Sequence, residues 1–378
     1  MDAITRRTYE RHAKSWIAAR KADRNALARA RWVCDGAADG GRIGDVGSGP
    51  GWYAAAIAAR GRRAIALELS RAMLRAGRER GVEAARVCAD AAALPLARGS
   101  LSGAVAFNVL QHLPHDQIAL ALAHLHDALG VDARLAFTLA DLDSSESAAG
   151  PNERRRGWAR RRFRDAALGG SGRLFTYHSR ECVRALCEGA GFDDVRIDRP
   201  RGSRAFWLWV RARRAHTLPD YVRPGLELLV CGLNPSRTSA ATGIPYGRKQ
   251  NRFWPAALAA GLVERGFDPF AAVRAGVGFT DLVKRTTARA SELDTEEYRR
   301  GLARVEALVR RARPGAVCFV GLDGWRRALD PEARPGWVER GFGGRPAYLM
   351  PSTSGLNART SLAELARHLT TAAGRRSA

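Results

Sequence analysis

The chain has 378 residues, of which 46% are hydrophobic. This is more than one ordinary domain of roughly 100 to 200 residues needs, and enough to fill two packed cores. No apolar run approaches the roughly 18 residues of a membrane span, and the first twenty residues lack the apolar centre of a secretion signal. We therefore expect a cytoplasmic protein of two domains with no membrane partner.

Positive charge dominates the composition, with 62 Lys and Arg against 38 Asp and Glu and a formal net charge of +24. Such an excess attracts polyanions, and nucleic acid is the obvious one. Arg and Ala are abundant everywhere in the chain, however, as GC-rich coding would also produce. The charge therefore favours nucleic acid without identifying it.

The cysteines are scattered and lack the close paired spacing of zinc or iron–sulfur sites. We interpret them as reduced core residues and expect no metal site. They are Cys34, Cys88, Cys182, Cys187, Cys231 and Cys318.

The first part of the chain alternates apolar strands with helical stretches, which predicts a doubly wound parallel sheet. The predicted strands are Arg42 to Val46, Ala64 to Leu67, Ala85 to Ala89, Gly103 to Asn108, Ala133 to Leu139, Asp194 to Ile197 and Ala205 to Val210. Predicted helices include Arg71 to Arg80, Gln117 to Leu129 and Ser179 to Gly191. The basic stretch Glu153 to Arg164 is predicted to be a further helix, which either grips phosphates or is a solvated face.

A second α/β unit follows a predicted linker at residues 213–224, which contains Pro219 and Pro224. Its predicted strands are Leu226 to Gly232, Ala316 to Gly321 and Pro346 to Met350. Its predicted helices are Arg252 to Glu264, Thr295 to Arg311, Gly324 to Leu329 and Leu362 to Ala373. The expected domains are thus residues 1–212 and 225–378.

The first chemical motif is the loop GDVGSGPG from Gly44 to Gly51, between a predicted strand and a predicted helix. Glycines have no Cβ, so the backbone of such a loop can approach a ligand closely. Glu68 ends the next strand, where a carboxylate can bind two ribose hydroxyls, and Asp90 ends the third strand. A dinucleotide-binding fold is the alternative, but its usual G-x-G-x-x-G spacing is not matched here.

Together with NVLQHLP from Asn108 to Pro114, this pattern resembles the class I S-adenosylmethionine-dependent methyltransferases over about residues 1 to 212. The resemblance implies a Rossmann-like sheet with S-adenosylmethionine as cofactor and an unknown methyl acceptor. The cofactor-binding residues that it implies are Asp45, Gly47, Gly49, Gly51, Glu68, Asp90, Ala91 and Asn108. We expect the acceptor to enter beside Asn108, Gln111 and His112, for which helix capping and surface solvation are the alternative.

The second motif is Asn234-Pro235, directly after a predicted strand. Parallel α/β sheets expose functional groups at the carboxyl ends of their strands, and proline restricts the backbone at that point. A neutral amide there can orient a water molecule. That suits attack on an electron-poor sugar cation, for which water needs mainly to be positioned.

Five segments resemble, in order, the mismatch-specific uracil/thymine-DNA glycosylases of the uracil-DNA glycosylase superfamily over about residues 225 to 375. They are Gly232 to Pro235, Thr242 to Tyr246, Asn251 to Trp254, Gly278 to Arg285 and Met350 to Leu356. The resemblance implies that Asn234 is catalytic, that Tyr246 stacks on the extruded base, and that Gly232 and Leu233 complete the base pocket. The implied DNA contacts are Lys284, Arg285, Pro351, Ser352, Ser354, Gly355, Leu356 and Arg359, with Leu356 filling the space left by the flipped nucleotide.

Two departures from that family make the range of substrates an open question at this point. Ser236 stands where glycine commonly follows Asn-Pro, and Asn357-Ala358-Arg359 lengthens the insertion loop. No carboxylate is adjacent to Asn234 in the sequence, so we expect modest turnover that favours uracil and electron-poor damaged bases.

Three functions are consistent with these patterns. In the first, a glycosylase that needs no cofactor removes uracil, thymine or a damaged pyrimidine from mispaired double-stranded DNA and is fused to a methyltransferase. In the second, methylation of a small molecule or RNA is the main activity, and the second domain, a uracil-DNA glycosylase-like α/β/α sandwich, anchors nucleic acid. In the third, the first domain senses a ligand or is structural.

Overall fold

The computed structural model describes residues 1–170, 172–199 and 206–374. The chain divides into two compact units, Met1–Ala215 and His216–Ala378. No helix among the described residues is long and apolar enough to cross a membrane.

The first unit is a mixed α/β structure. Its helices are α1 (Ala3–Arg11), α2 (Ala13–Ala18), α3 (Arg24–Asp35), α4 (Trp52–Ala58), α5 (Arg71–Glu79), α6 (His115–Ala128), α7 (Pro151–Arg156) and α8 (Arg180–Gly189). Its strands are β1 (Arg42–Val46), β2 (Arg63–Glu68), β3 (Ala85–Cys88), β4 (Leu101–Ala106), β5 (Leu129–Asp141), β6 (Trp158–Arg164), β7 (Gly172–His178), β8 (Phe192–Asp198) and β9 (Trp207–Arg214).

Within the described residues these strands form one nine-stranded sheet. Strands β3, β2, β1, β4 and β5 lie side by side and are parallel. Strand β9 pairs antiparallel with β5, and β8 pairs antiparallel with β9. The predicted Rossmann-like sheet is therefore confirmed. All five parallel strands point their carboxyl ends to the same edge.

Alternate residues of the central strand β5 enter the cores on the two faces of this sheet, as the two-residue repeat of a strand requires. Leu135, Phe137 and Leu139 pack with α6 and α8, whereas Ala136 packs with α3 and α4. Because both faces are covered, the buried strands are apolar on both sides.

A hairpin of β6 and β7 extends the sheet beyond the carboxyl end of β5. Among the described residues, it joins β5 at Ala140 and Asp141, through β7. The prediction of one helix from Glu153 to Arg164 is wrong here. Gly157, with φ 79°, ends α7, and the following arginine-rich residues form β6 because they pair with β7 along its length.

The other elements predicted for this unit agree with the observed ones within a few residues. Helices α1 to α3 and strand β7 were not predicted. The strand predicted at Ala205 to Val210 is observed from Trp207, and Ala205 itself lies outside the described residues.

The second unit is also α/β. Its helices are α9 (Arg237–Thr242), α10 (Phe253–Ala259), α11 (Pro269–Arg274), α12 (Thr295–Ala312), α13 (Asp323–Ala328) and α14 (Leu362–Ala372). Its strands are β10 (Leu228–Gly232), β11 (Val277–Asp281), β12 (Ala316–Val320), β13 (Gly336–Phe342) and β14 (Arg345–Met350).

These strands form a five-stranded sheet in the order β11-β10-β12-β14-β13, parallel except for β13. Every residue of β10, β11 and β12 is buried. The carboxyl ends of β10 and β11 are adjacent, since Gly232 pairs with Asp281. Strands β11 and β13 were not predicted, and the helix predicted from Arg252 to Glu264 is shorter.

The segment 213–224, predicted as a linker, is packed into structure rather than exposed. Arg213 and Arg214 belong to β9. Leu218, Asp220 and Tyr221 are all at most 4% exposed. The backbone of Tyr221 also exchanges two hydrogen bonds with Phe279 of β11, so the later part of this segment belongs to the core of the second unit.

Candidate functional sites in the two units

The glycine loop of the first unit occupies the turn from β1 to α4. Gly47 has φ 70°, a left-handed conformation that favours glycine. A Cβ on Gly47 would lie 2.3 Å from the Cβ of Val109, which follows β4. The loop therefore requires glycine for both its backbone angle and its packing.

Asp45 lies beneath this loop and is 1% exposed. Its Oδ2 accepts a hydrogen bond of 2.9 Å from the backbone N–H of Ala54, in the first turn of α4. Its Oδ1 is buried and has no hydrogen-bond partner. Burial raises the pKa of Asp45 to about 7. A proton or a cationic group is therefore needed to compensate the charge of this carboxylate.

Glu68 ends β2 and is tied to the glycine loop. Its two carboxylate oxygens accept hydrogen bonds from Gly49 N at 3.0 Å and from Ser70 N at 2.8 Å. Burial raises the pKa of Glu68. A carboxylate has about four lone-pair sites, so these two bonds leave acceptor capacity for a ligand.

Asp90 and Ala91 follow β3, at the same edge of the sheet. Asp90 Oδ2 lies 2.7 Å from the terminal ammonium of Met1, and Asp90 Oδ1 accepts a bond from Ala92 N. Ala91 is buried. The cofactor-binding residues predicted on three separate strand ends therefore share one edge.

The first helices cover this edge, which the sequence analysis did not predict. The ring of Trp16 in α2 is the nearest group to a Cβ placed on Gly49, at 3.9 Å. Glu10 of α1 accepts a 2.7 Å hydrogen bond from Ser70 Oγ.

Of the three residues expected at an acceptor entrance, only Asn108 is exposed. Gln111 and His112 are each 1% exposed, so the expectation of an entrance or of surface solvation is wrong for both. Nε2 of His112 lies 2.9 Å from the hydroxyl of Tyr9, and Nδ1 lies 2.7 Å from Leu174 O. Burial lowers the pKa of His112 to about 3, so its ring is neutral.

Asn234 of the second unit follows β10 and is partly exposed. Its Nδ2 donates to Arg285 O at 2.9 Å and to Thr287 Oγ1 at 2.8 Å. A backbone carbonyl can only accept, so the amide nitrogen must face Arg285. The amide oxygen then points away from this loop and is left as a hydrogen-bond acceptor.

Tyr246 and Gly232 lie beside Asn234. One face of the Tyr246 ring stacks on Phe253, with centroids 4.4 Å apart, and its buried hydroxyl has no hydrogen-bond partner. A Cβ on Gly232 would lie 3.1 Å from that hydroxyl and 2.7 Å from Asp281 Oδ1. Leu233 is partly buried, and its backbone carbonyl accepts a bond from Val283 N.

Asp281 is a candidate functional residue that the sequence analysis missed. No carboxylate is adjacent to Asn234 in the sequence, but pairing of β11 with β10 brings this one beside Gly232. Burial raises the pKa of Asp281 to about 6. The Tyr246 hydroxyl and the Asp281 carboxyl therefore face the same small space.

Two residues predicted to contact phosphate instead form ion pairs within the second unit. Lys284 Nζ lies 2.7 Å from Oδ1 of buried Asp220 and donates to Leu218 O at 2.8 Å, so it does not offer a free charge at the surface. Arg285 is exposed, but its guanidinium binds both carboxylate oxygens of Glu297.

The predicted DNA-insertion loop follows β14 and is held by hydrogen bonds within itself. Ser352 Oγ accepts from Ser354 N, Ser354 Oγ accepts from Leu356 N, and Asn357 Nδ2 donates to Ser352 O at 2.8 Å. Leu356 is nevertheless 95% exposed. Pro351 is partly exposed, and Gly355 and Arg359 are exposed.

All six cysteines are free thiols. No disulfide bond joins any of the six, and five are buried as predicted, whereas Cys88 is exposed. Among the described residues, no group of three or more His, Cys, Asp or Glu side chains could hold a metal ion.

Two family models match the chain. A model described as a methyltransferase domain matches residues 43–131, and a model of the uracil DNA glycosylase superfamily matches residues 219–372. The protein thus contains a methyltransferase domain in its first unit. Its second unit contains a uracil DNA glycosylase superfamily domain, which includes part of the segment predicted as a linker.

Several similar solved structures are methyltransferases. One is the 1,6-didemethyltoxoflavin-N1-methyltransferase of Burkholderia thailandensis with bound S-adenosylhomocysteine, at 20% identity and TM-score 0.42 over 56% of this chain and 88% of that one. Another is the magnesium protoporphyrin IX methyltransferase of Synechocystis PCC 6803 with bound SAM, at 16% identity and TM-score 0.42 over 57% and 98%. A third, an S-adenosylmethionine-dependent methyltransferase from Mesorhizobium loti, has 18% identity and TM-score 0.40 over 50% and 96%.

The two raised carboxyl pKa values predict an observable titration. In protein labelled with ¹³C at the aspartate carboxyl, one resonance should titrate near pH 6 and disappear in Asp281→Asn, and one near pH 7 should disappear in Asp45→Asn. Since both folded-state values lie above the unfolded one, the stability that these protons supply is fully present below about pH 4 and is lost as pH rises through about 6 to 7. Titration of both resonances in the ordinary aspartate range of about 4 would contradict the burial argument.

Proposed function

We propose that the second unit is a DNA glycosylase that hydrolyses the N-glycosidic bond of uracil, thymine or a damaged pyrimidine mispaired in duplex DNA. The observation that carries this proposal is the fixed amide of Asn234. Its nitrogen is held by Arg285 O and Thr287 Oγ1, and its oxygen remains to accept a hydrogen bond.

In this mechanism the amide oxygen of Asn234 orients a water molecule toward the sugar carbon of an extruded nucleotide. The base departs with the electron pair of its glycosidic bond, leaving a sugar cation that the positioned water attacks. The proton that this water loses passes through solvent to the released base, which leaves as an anion. An amide cannot take the proton from water as strongly as a carboxylate can. The rate should therefore depend on how readily the base leaves, as expected for uracil and electron-poor bases.

The ring face of Tyr246 opposite Phe253 would stack on the extruded base. Two polar groups lie close to the position that a Cβ on Gly232 would take: the unpartnered hydroxyl of Tyr246 at 3.1 Å and Oδ1 of Asp281 at 2.7 Å. Both would form hydrogen bonds with the edge of the base. A neutral carboxyl donates a hydrogen bond and an ionised one only accepts. Asp281 would therefore donate a hydrogen bond to the base below about pH 6 and only accept one above it.

Leu356 would enter the space vacated by the flipped nucleotide. Leucine exposed to 95% is costly in water, and insertion between bases would remove that apolar surface from solvent. Exposed Arg359 follows Leu356 in the same loop and would approach a phosphate, whereas Lys284 is better explained by its ion pair with Asp220. Arg285 would have to leave Glu297 to make such a contact.

We expect Asn234→Ala to reduce excision from a duplex with one G·U pair by about 100-fold, since it removes the group that orients water. Excision is measured under single turnover by alkaline nicking of a fluorescent strand. Asn152→Ala changes an exposed asparagine in the first unit and is the control.

Equal nicking by Asn234→Ala and the intact protein would remove the proposed role of the amide. If neither protein nicks but both bind the duplex, the second unit is a nucleic-acid anchor, and methylation becomes the main activity.

A second prediction concerns the insertion of Leu356 into the duplex. Leu356→Ala should slow excision from the duplex several-fold but change excision from a single-stranded uracil oligonucleotide much less, because no helix has to be opened there. Leu329→Ala, a leucine that is 41% exposed in the same unit, should leave both rates unchanged. Equal slowing on both substrates would contradict insertion.

We further propose that the first unit is an S-adenosylmethionine-dependent methyltransferase. Its residues fit that cofactor: the buried Oδ1 of Asp45 lacks a partner, and Glu68 accepts only one backbone hydrogen bond on each of its carboxylate oxygens. Asp45 and the glycine loop would hold the methionine part, Glu68 the ribose, and Asp90 with Ala91 the adenine. The cofactor, when bound, supplies an electrophilic methyl group.

The covering helices α1 and α2 would exclude water from this edge once the cofactor is in place. Trp16 and the Tyr9–His112 hydrogen bond lie on that cover. Because burial lowers the pKa of His112 to about 3, its ring would fix Tyr9 in position and would be too weak a base to take up a proton from the acceptor.

Glu68→Ala should weaken binding of S-adenosylmethionine about tenfold or more, because two charge-assisted acceptor sites are lost. The measurement is calorimetry on the full chain, with the exposed Glu79→Ala as control. Excision from the G·U duplex should not change. Undiminished binding would contradict the assignment, and loss of excision would mean that the two activities are coupled.

A further inference from the structure

The orientation of Asn234 depends on the loop 284–287, because both of its strong amide hydrogen bonds end there. The same loop runs beside the residues that follow Asn234. Thr287 N donates to Pro235 O at 3.3 Å, and Ser236 pairs with Thr287 in an isolated bridge. A shift of this loop would therefore turn or release the amide.

The other side of this loop is held by the start of the second unit. Thr286 Oγ1 donates to His216 O at 2.7 Å, and Thr217 Oγ1 donates to Lys284 O at 2.5 Å. Lys284 Nζ in turn donates to Leu218 O at 2.8 Å. Residues 216–220, which we name the brace, thus hold the loop at both Lys284 and Thr286.

A buried charge cluster fixes the brace itself. Asp220 is 4% exposed and pairs with Lys284 at 2.7 Å and with Arg304 of α12 at 2.8 Å. It also accepts a 2.7 Å bond from Thr280 Oγ1 of β11, and Arg304 donates to Asp281 O. A buried ion pair with one partner removed leaves an uncompensated charge, so the cluster resists displacement.

We propose that Thr217 and the Asp220–Lys284 pair are positioning residues for base excision, acting through the loop 284–287 on the amide of Asn234. This rests on the proposed glycosylase function and adds to it residues that lie outside the base pocket. The brace reaches Asn234 only through the loop 284–287. Its effect is on the rate of the chemical step and not on the affinity for DNA.

The test compares hydroxyl-deleting and hydroxyl-retaining variants in the full chain. Thr217→Val should slow single-turnover excision from the G·U duplex about three- to tenfold, the range expected for one lost hydrogen bond. Thr217→Ser keeps the hydroxyl and should restore the rate. Dissociation constants for an unmodified duplex should be the same for all three proteins.

The matched control is Thr370→Val in α14, which deletes a hydrogen bond of 3.0 Å from a threonine hydroxyl to Ala366 O in the same unit. Its excision rate should equal that of the intact protein. Combined with Asn234→Ala, the Thr217→Val change should cause no further slowing, because positioning acts only through a group that is no longer there.

Three results would overturn the inference: an unchanged rate in Thr217→Val, the same slowing in Thr370→Val, or continued slowing by Thr217→Val in the Asn234→Ala background. Failure of the glycosylase proposal looks different. In that case the intact protein releases no base at all, whereas failure of the brace alone leaves the intact protein active and Asn234→Ala strongly slowed.

Discussion

Two hydrogen bonds, from the amide nitrogen of Asn234 to Arg285 O and Thr287 Oγ1, fix the orientation of this side chain in the second unit. An amide has two chemically different ends of the same shape, and only its surroundings decide which way each end points. Here the acceptors on the loop bind the nitrogen, so the oxygen is left for a ligand. The parallel pairing of β10 with β11 makes this possible, because it brings the loop after β11 alongside the loop after β10.

The candidate site of the first unit also lies at the carboxyl ends of parallel strands, but its polar groups differ from those of the second unit. Its polar side chains are carboxylates, buried under a glycine loop and under α1 and α2. Asp45 bonds to the first turn of α4 and Glu68 binds the loop, so each stabilises the local backbone while retaining acceptor capacity. Burial raises the pKa of both, which is an energetic cost that a positively charged ligand would relieve.

Local patterns in the sequence were sufficient for the parts of these sites that depend on neighbouring residues. The glycine loop, the strand before Asn234 and most element types follow from periodicity and turn residues. The predictions failed where contacts with distant segments of the chain determine the local structure. The β6 strand forms because β7 pairs with it, Lys284 is engaged by Asp220 from the predicted linker, and His112 is held by Tyr9 of α1.

Asp281 illustrates the same limit in the second unit. Nothing in its local sequence distinguishes it from an ordinary residue after a strand. Its position beside Gly232 follows from strand order, and its raised pKa follows from burial, neither of which a short motif contains. The predicted linker was misread for a similar reason, since its two prolines indicate a turn but do not indicate what packs on it.

Arg252, which precedes α10, has a consequence for how DNA would be searched. Its guanidinium donates to Thr360 O and Asn357 O, and its backbone N–H donates to Thr353 O. One residue therefore holds the predicted DNA-insertion loop at both ends. The conformational entropy of that loop is therefore lost during folding and not during each encounter with a duplex. A protein that slides along DNA with a rigid probe of this kind can sample each base pair in a brief contact, because the probe does not have to order itself at every position.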